Sequence, residues 1–175
     1  MSDHARLSPS SSKRWFTCPG SVPLEAAIPD RPNQFSSNGT AMHDVAARCL
    51  IFGGAASDYI GQAIPVKDDE SVDFTDEMAE LVQDYVDTVR AMAVGKTLMV
   101  ENRVDFSWAI DVPDSFGTAD VIIWDEANGE LIVMDLKTGH TPVNVERNSQ
   151  LMLYALGALK KLVKEKAHAE EDSLV

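Results

Sequence analysis

Cysteine is nearly absent: Cys18 and Cys49 are the only two in 175 residues. That is too few for a disulfide framework or a four-thiolate cluster, and both are read as reduced thiols, an isolated one being usually a small buried hydrophobe. No apolar run approaches the length of a membrane span, and the N-terminus lacks the charged-then-apolar pattern of a signal peptide. The expectation is a cytoplasmic protein without a membrane partner. Positive charge is scarce as well, with 15 Lys and Arg against 28 Asp and Glu and a formal net charge of −13. Non-specific affinity for nucleic acid comes from neutralising phosphates, so binding over the whole surface is excluded while a local, metal-assisted phosphate site is not. There is no internal repeat, and low complexity is confined to a short serine run.

What is present suits one soluble domain over residues 1–175, with 1–37 as an N-terminal helix and irregular segment, 38–166 as the core and 167–175 as an acidic tail. Ser8-Pro9-Ser10-Ser11-Ser12 reads as a loop capping a short helix through Phe16, with Trp15 and Phe16 as core anchors. Cys18-Pro19-Gly20-Ser21 breaks it, and Pro23, Pro29 and Pro32 keep the following stretch irregular. Thr40 is the expected N-cap of a helix from about Ala41 to Phe52, with Gly53-Gly54 as its stop and His43 in its first turn. Thr75 caps a second helix whose apolar stripe is Met78, Leu81, Val82, Tyr85, Val86 and Val89. The stripe needs only a core role. Leu98–Phe106 reads as a strand carrying Glu101, and a last helix is expected from about Asn144 to Lys166.

The most informative stretch is Leu131–Gly139, where the apolar run Leu-Ile-Val-Met ends in Asp135-Leu136-Lys137. Side chains alternate across a strand, so Asp135 and Lys137 share a face. Gly117–Trp124 is a second β-rich run, and Asn128-Gly129 between the two is a strong hairpin signal. With those two residues as the loop, Asp120 lies opposite Lys137 and Ile122 opposite Asp135, bringing Asp120, Asp135 and Lys137 to one face. Asp120 and Asp135 are then diagonal, roughly 6 to 8 Å apart at the backbone, within reach of one shared cation. A solvated surface ion pair is the alternative for either carboxylate alone. Gln150 and Tyr154, four apart, share a helix face and are an ordinary helix surface or an amide and phenol offered to a phosphate or base.

The ordered set His43, Glu101, Gly117-Thr118-Ala119-Asp120, Asp135-Leu136-Lys137 and Gln150…Tyr154 resembles the RecB-like branch of the PD-(D/E)XK nuclease superfamily. The serine-rich start with Arg14-Trp15 and Cys18-Pro19-Gly20-Ser21 looks like a phage-encoded group within that branch. The resemblance implies an α/β (α+β) fold with a restriction-endonuclease-like core, a mixed, mainly antiparallel sheet flanked by helices. It implies Mg2+ or Mn2+ held by His43, Asp120, Asp135 and the carbonyl of Leu136, with Glu101 in support. Lys137 is implied as the catalytic lysine beside Asp120 and Asp135, and Gln150 and Tyr154 as nucleic-acid contacts. Relatives with an iron–sulfur cluster use four cysteines, and only Cys18 is suitably placed here, so no cluster is expected.

The expected function is therefore a metal-dependent DNA nuclease acting on single strands or ends in phage or mobile-element DNA processing. A catalytically silent module of the same fold, binding a protein partner through its acidic surface, is the alternative. A metal-dependent hydrolase of small phosphorylated molecules is a third class. A homo-oligomer or a phage recombination partner fits the lysines near the C-terminus, Lys160, Lys161, Lys164 and Lys166, which could line a local positive channel.

Overall fold

The computed structural model describes residues 5–27, 34–67, 70–139 and 142–172, without the side chains of residues 34, 35 and 164–172. In chain order the elements are α1 (Ser12–Thr17), α2 (Ser21–Ala26), α3 (Gln34–Phe52), a 3₁₀ turn at Ala56–Tyr59, β1 (Ala63–Pro65), β2 (Ser71–Asp73) and α4 (Asp76–Met92). Then follow β3 (Thr97–Asp105), α5 (Ser107–Ile110), β4 (Phe116–Asp125), β5 (Glu130–Met134) and α6 (Ser149–Asp172). The class is α+β: a three-stranded sheet in the order β3-β4-β5 and a small β1-β2 hairpin, with helices against them. Every strand pairing among the described residues is antiparallel. Pro29, Pro32 and residues 173–175 lie outside the described residues, as do the side chains of Lys164 and Lys166, while residues 167–172 of the expected acidic tail continue α6.

Helix ends follow local hydrogen bonding. The Thr75 hydroxyl accepts the Met78 N–H at 3.3 Å, which satisfies one orphan donor at the start of α4. Its inward face is Ala79, Val82, Val86 and Val89, whereas Leu81, expected in the stripe, is 55% exposed. α3 begins well before Thr40, which is interior, its hydroxyl bonded back to the Ser36 carbonyl at 2.9 Å. A threonine on an exposed helix face does this as readily as it caps, so sequence alone misplaced the start. Gly53 stops α3 at φ +83, its N–H reaching the Cys49 carbonyl. α6 starts five residues later than expected: the Asn144 side chain is engaged by the Glu146 N–H, and Asn148 accepts from Leu151 instead.

At the N-terminus no serine side chain caps α1. The Ser8 carbonyl instead accepts the Trp15 indole N–H at 2.9 Å, and Trp15 is buried with Phe106 and Leu153. Phe16, expected beside it in the core, is 57% exposed. The Ser12 hydroxyl meets that of Ser149 at 2.7 Å, tying the first helix to the start of the last. Cys49 is buried in the α3–α4 core and Cys18 is exposed, both as free thiols.

The β4-β5 hairpin pairs Asp125 with Glu130 and Ile122 with Val133, so its loop has four residues rather than two. Asp125 closes it, its carboxylate accepting the backbone and side-chain N–H groups of Asn128. The register is thus displaced by two positions from the sequence expectation. Because alternation has a period of two, the displacement leaves the paired residues Val121–Asp125 and Glu130–Met134 on their expected faces. Asp120 comes level with Asp135 rather than Lys137, and Asp135 lies just beyond the last paired residue, Met134.

β3 and β4 share a second irregularity. Val100 pairs with Val121 and Asn102 with Ala119, which brackets Glu101 opposite Asp120 at a point where no pairing forms. Glu101 has φ +47, a left-handed conformation that costs an L residue roughly 1–2 kcal/mol. The alternation changes phase there. Val121 and Ile123 pack with Val89 on the α4 side, yet Ala119 packs with Val104 and Tyr154 on the α6 side. Glu101 and Asp120 occupy the switch point between two cores.

Candidate metal centre

Three elements deliver the site. α3 supplies His43, on the turn after buried Ala41 and Met42; the kink in β3 supplies Glu101; and β4 supplies Asp120. One ligand atom from each of these three lies within 4.8 Å of the others. An octahedral cation with bonds of about 2.1 Å holds ligand atoms about 3 to 4.2 Å apart, so small side-chain rotations suffice. His43 Nδ1 stands 3.2 Å from Asp120 Oδ2, and the same oxygen accepts the Leu136 N–H at 2.7 Å. Leu136 therefore meets Asp120 through its amide, and its side chain is buried.

The three form the polar part of a small recess whose remaining wall is largely apolar, including Ala46, Leu50, Val100 and Val121. Tyr85 of α4 adds the one further polar side chain. Sequence reasoning placed Tyr85 in a plain core stripe. The available signal was that a tyrosine in such a stripe brings a hydroxyl that must find a partner.

Asp135 stands next to this group rather than in it. Its side chain is 5% exposed, paired with the Lys137 ammonium, and its Oδ1 accepts from Gln150 Nε2 at 2.8 Å. Lys137 in turn donates to Gln150 Oε1 at 3.1 Å. The three side chains close a ring that sets which way the Gln150 amide faces. Gln150 also donates to Tyr154 Oη at 3.4 Å. Tyr154 is only 5% exposed, packed against Val104, Ala119 and Ile122. Expected both to orient the site and to contact a nucleic-acid strand, it lies below the surface, with its hydroxyl accepting from Gln150. Beyond Lys137 a groove opens, walled by Pro142, Val145 and Leu151.

The electrostatics follow from crowding. Burial and the nearby Asp120 raise the Glu101 pKa above the ordinary carboxylate value, against the opposing pull of His43. Burial, partly offset by Lys137, and the charge of Asp120 raise Asp135 as well. Burial by itself lowers His43, but its hydrogen bond to Asp120 and the charges of Asp120, Asp135 and Glu101 raise it overall. Three carboxylates around one imidazole are a negative cluster, and a divalent cation relieves their mutual repulsion. Two carboxylates and one imidazole suit Mn2+ somewhat better than Mg2+. Of the lysines near the C-terminus, Lys160 is paired with Asp105 at 2.7 Å and Lys161 donates to Asn102 at 2.8 Å.

A pH dependence results. A cation competes with the His43 proton and needs ionised Glu101, and both groups hold their protons to higher pH in the fold than outside it. Without metal, each raised pKa contributes stability that is full below the unfolded value, 4.5 for Glu101 and 6.5 for His43, and is lost as pH rises through the folded value. With metal the sign reverses, because deprotonation makes the ligands available. The rise in melting temperature on adding Mn2+ is expected to grow as pH increases past 6.5. Melting curves with and without Mn2+ from mildly acid to mildly alkaline pH check this, and an increment independent of pH contradicts it.

Among the described residues no helix is long and apolar enough to cross a membrane. No solved structure matches the chain. One family model does, over residues 4–164, a span that takes in His43, Glu101, Asp120, Asp135, Lys137, Gln150 and Tyr154. By that match the chain belongs to the family described as Protein of unknown function (DUF2800).

Proposed function

We propose that the protein is a divalent-metal-dependent nuclease that hydrolyses phosphodiester bonds in DNA, on a RecB-like version of the restriction-endonuclease core. The observation that carries the proposal is the convergence of His43, Glu101 and Asp120 within 4.8 Å, next to an Asp135–Lys137 pair on the adjoining strand end. When bound, Mg2+ or Mn2+ polarises a phosphoryl oxygen and lowers the pKa of a coordinated water. The chain's own residues do the rest. His43, Glu101 and Asp120 hold the cation, and Asp135, whose charge acts on both His43 and Glu101, completes or buttresses that set. Lys137, 44% exposed at the mouth of the groove, presents a fixed positive charge where negative charge develops in the transition state. Gln150 holds Lys137 and Asp135 in register, and Tyr154 holds Gln150. The apolar wall of the groove suits an unpaired strand, whose bases can leave the stack, better than a duplex; phage or mobile-element DNA with exposed ends is the corresponding substrate.

The test is cleavage of end-labelled single- and double-stranded DNA with Mg2+, Mn2+ or EDTA, using wild type beside Asp135→Ala and Lys137→Ala. Metal-dependent products, lost in both variants, are expected. Cleavage persisting in both variants overturns the assignment. Release of phosphate from nucleotides without cleavage of polymers moves the protein to the small-molecule hydrolases. A folded, metal-binding wild type that cleaves nothing leaves the partner-binding module.

A further inference from the structure

The Tyr85 hydroxyl oxygen is buried and makes no hydrogen bond among the described residues. Its ring packs between the α3–α4 core and the core under β4, on the inward side of α4. A phenylalanine fills the same ring volume without a buried donor, and burying an unpaired hydroxyl is unfavourable. The hydroxyl is therefore not explained by packing. Tyr85 lines the recess that contains His43, Glu101 and Asp120, and no other polar side chain in that recess accepts from it. Backbone groups and side chains on α3, β3 and β4 all leave it unsatisfied at hydrogen-bond distance.

We propose that Tyr85 is a positioning residue of the metal centre, its hydroxyl donating a hydrogen bond to an oxygen ligand that completes the shell of the cation held by His43, Glu101 and Asp120. The inference rests on the metal-centre reading above. Three features agree with it. The recess is small, so an oxygen on a cation there lies close to every polar group of the wall. Burial, then the charges of Asp120, Asp135 and Glu101, push the phenol well above its ordinary pKa, so it remains a donor throughout the working range of a nuclease. A neutral donor beside three carboxylates favours an anionic oxygen on the cation, a hydroxide or a phosphoryl oxygen, more than it favours the cation itself. It thus offsets the repulsion that those carboxylates exert on an incoming phosphate.

The experiment compares wild type, Tyr85→Phe and, as a control phenol outside the recess, Tyr59→Phe. Mn2+ binding is titrated by calorimetry with and without inorganic phosphate, and metal-free melting temperatures are measured in parallel. Tyr85→Phe is expected to weaken phosphate binding to the Mn2+-loaded protein about fivefold, as loss of one hydrogen bond does. Its metal-free melting temperature is expected to equal or exceed that of wild type, because an unpaired donor has been removed. Tyr59→Phe is expected to leave both quantities unchanged. Wild-type phosphate affinity in Tyr85→Phe overturns the role of Tyr85 while leaving the metal centre standing. A lower metal-free melting temperature in that variant also overturns it, since the hydroxyl then has a partner within the protein. Absence of Mn2+ binding by wild type overturns both the role and the centre.

Discussion

Asp120→Asn is expected to fold, to lose measurable Mn2+ binding, and to lower DNA cleavage by about 10³-fold, corresponding to roughly 4 kcal/mol of transition-state stabilisation. The change is isosteric, and the asparagine carbonyl can still accept the Leu136 N–H that Asp120 accepts at 2.7 Å. What it removes is one charge from the most crowded part of the molecule. Asp120 is the residue that meets each of the others: His43 Nδ1 is 3.2 Å away, Glu101 lies opposite across the broken pairing, and its charge helps to raise both Glu101 and Asp135. Without metal, the variant is expected to be as stable as wild type or slightly more so, because that repulsion is lessened. Melting curves with and without Mn2+, beside a cleavage assay, separate the two effects. Wild-type metal affinity in Asp120→Asn contradicts the ligand assignment. A collapse of the metal-free protein assigns Asp120 to structure.

Gly117→Ala should be costly for a different reason. A Cβ at this position meets Pro9 Cδ and Cγ at 2.7 Å and Tyr154 Cε1 at 2.9 Å. Two of those atoms belong to a rigid ring and the third to a buried one, so none moves aside cheaply. Overpacking of this kind costs about 1–3 kcal/mol. For a chain of this size that lowers the melting temperature by roughly 4–8 °C, taking about 2 kcal/mol as the central value. Cleavage is expected to fall as well, because displacing Tyr154 displaces the Gln150 amide that joins Asp135 to Lys137. Pro9→Ala, which removes the ring, should restore part of the loss when combined with Gly117→Ala. An unchanged melting temperature in the single variant, or no recovery in the double, contradicts this account.

Much of this arrangement was legible in the sequence for reasons that can be named. The Thr75 cap and the stripe through Val82, Val86 and Val89 are local patterns, and both are present in the fold. The hairpin was recognised although its loop was assigned two residues instead of four, and the faces survived because the displacement was even. Other features depend on tertiary partners. Leu81 and Phe16 match the apolar pattern of their helices, yet among the described residues both stay largely exposed. Thr40 has the chemistry of a cap, but α3 reaches past it. At the site, Asp120, Asp135 and Lys137 were brought together by the expected hairpin, whereas His43, Glu101 and Gln150 entered as candidates only through the resemblance. That they serve one site followed from the register and the resemblance; the way Glu101 enters it did not, because no residue-level preference announces a glutamate with φ +47. The role of Tyr85 was hidden by the same rule that placed it correctly on the inner face of α4.

The bond between Ser12 and Ser149 spans 137 positions, and Trp15 packs against Leu153 in the same helix. During synthesis, the first helix meets part of its docking surface, Phe106, well before the rest, which comes only with Leu153 of α6. The clasp that sets the start of α6, and with it Gln150, is thus a late event in folding, and it closes a loop containing almost every other element. The seat of α6, the helix that carries Gln150, thus rests in part on residues 137 positions away in sequence.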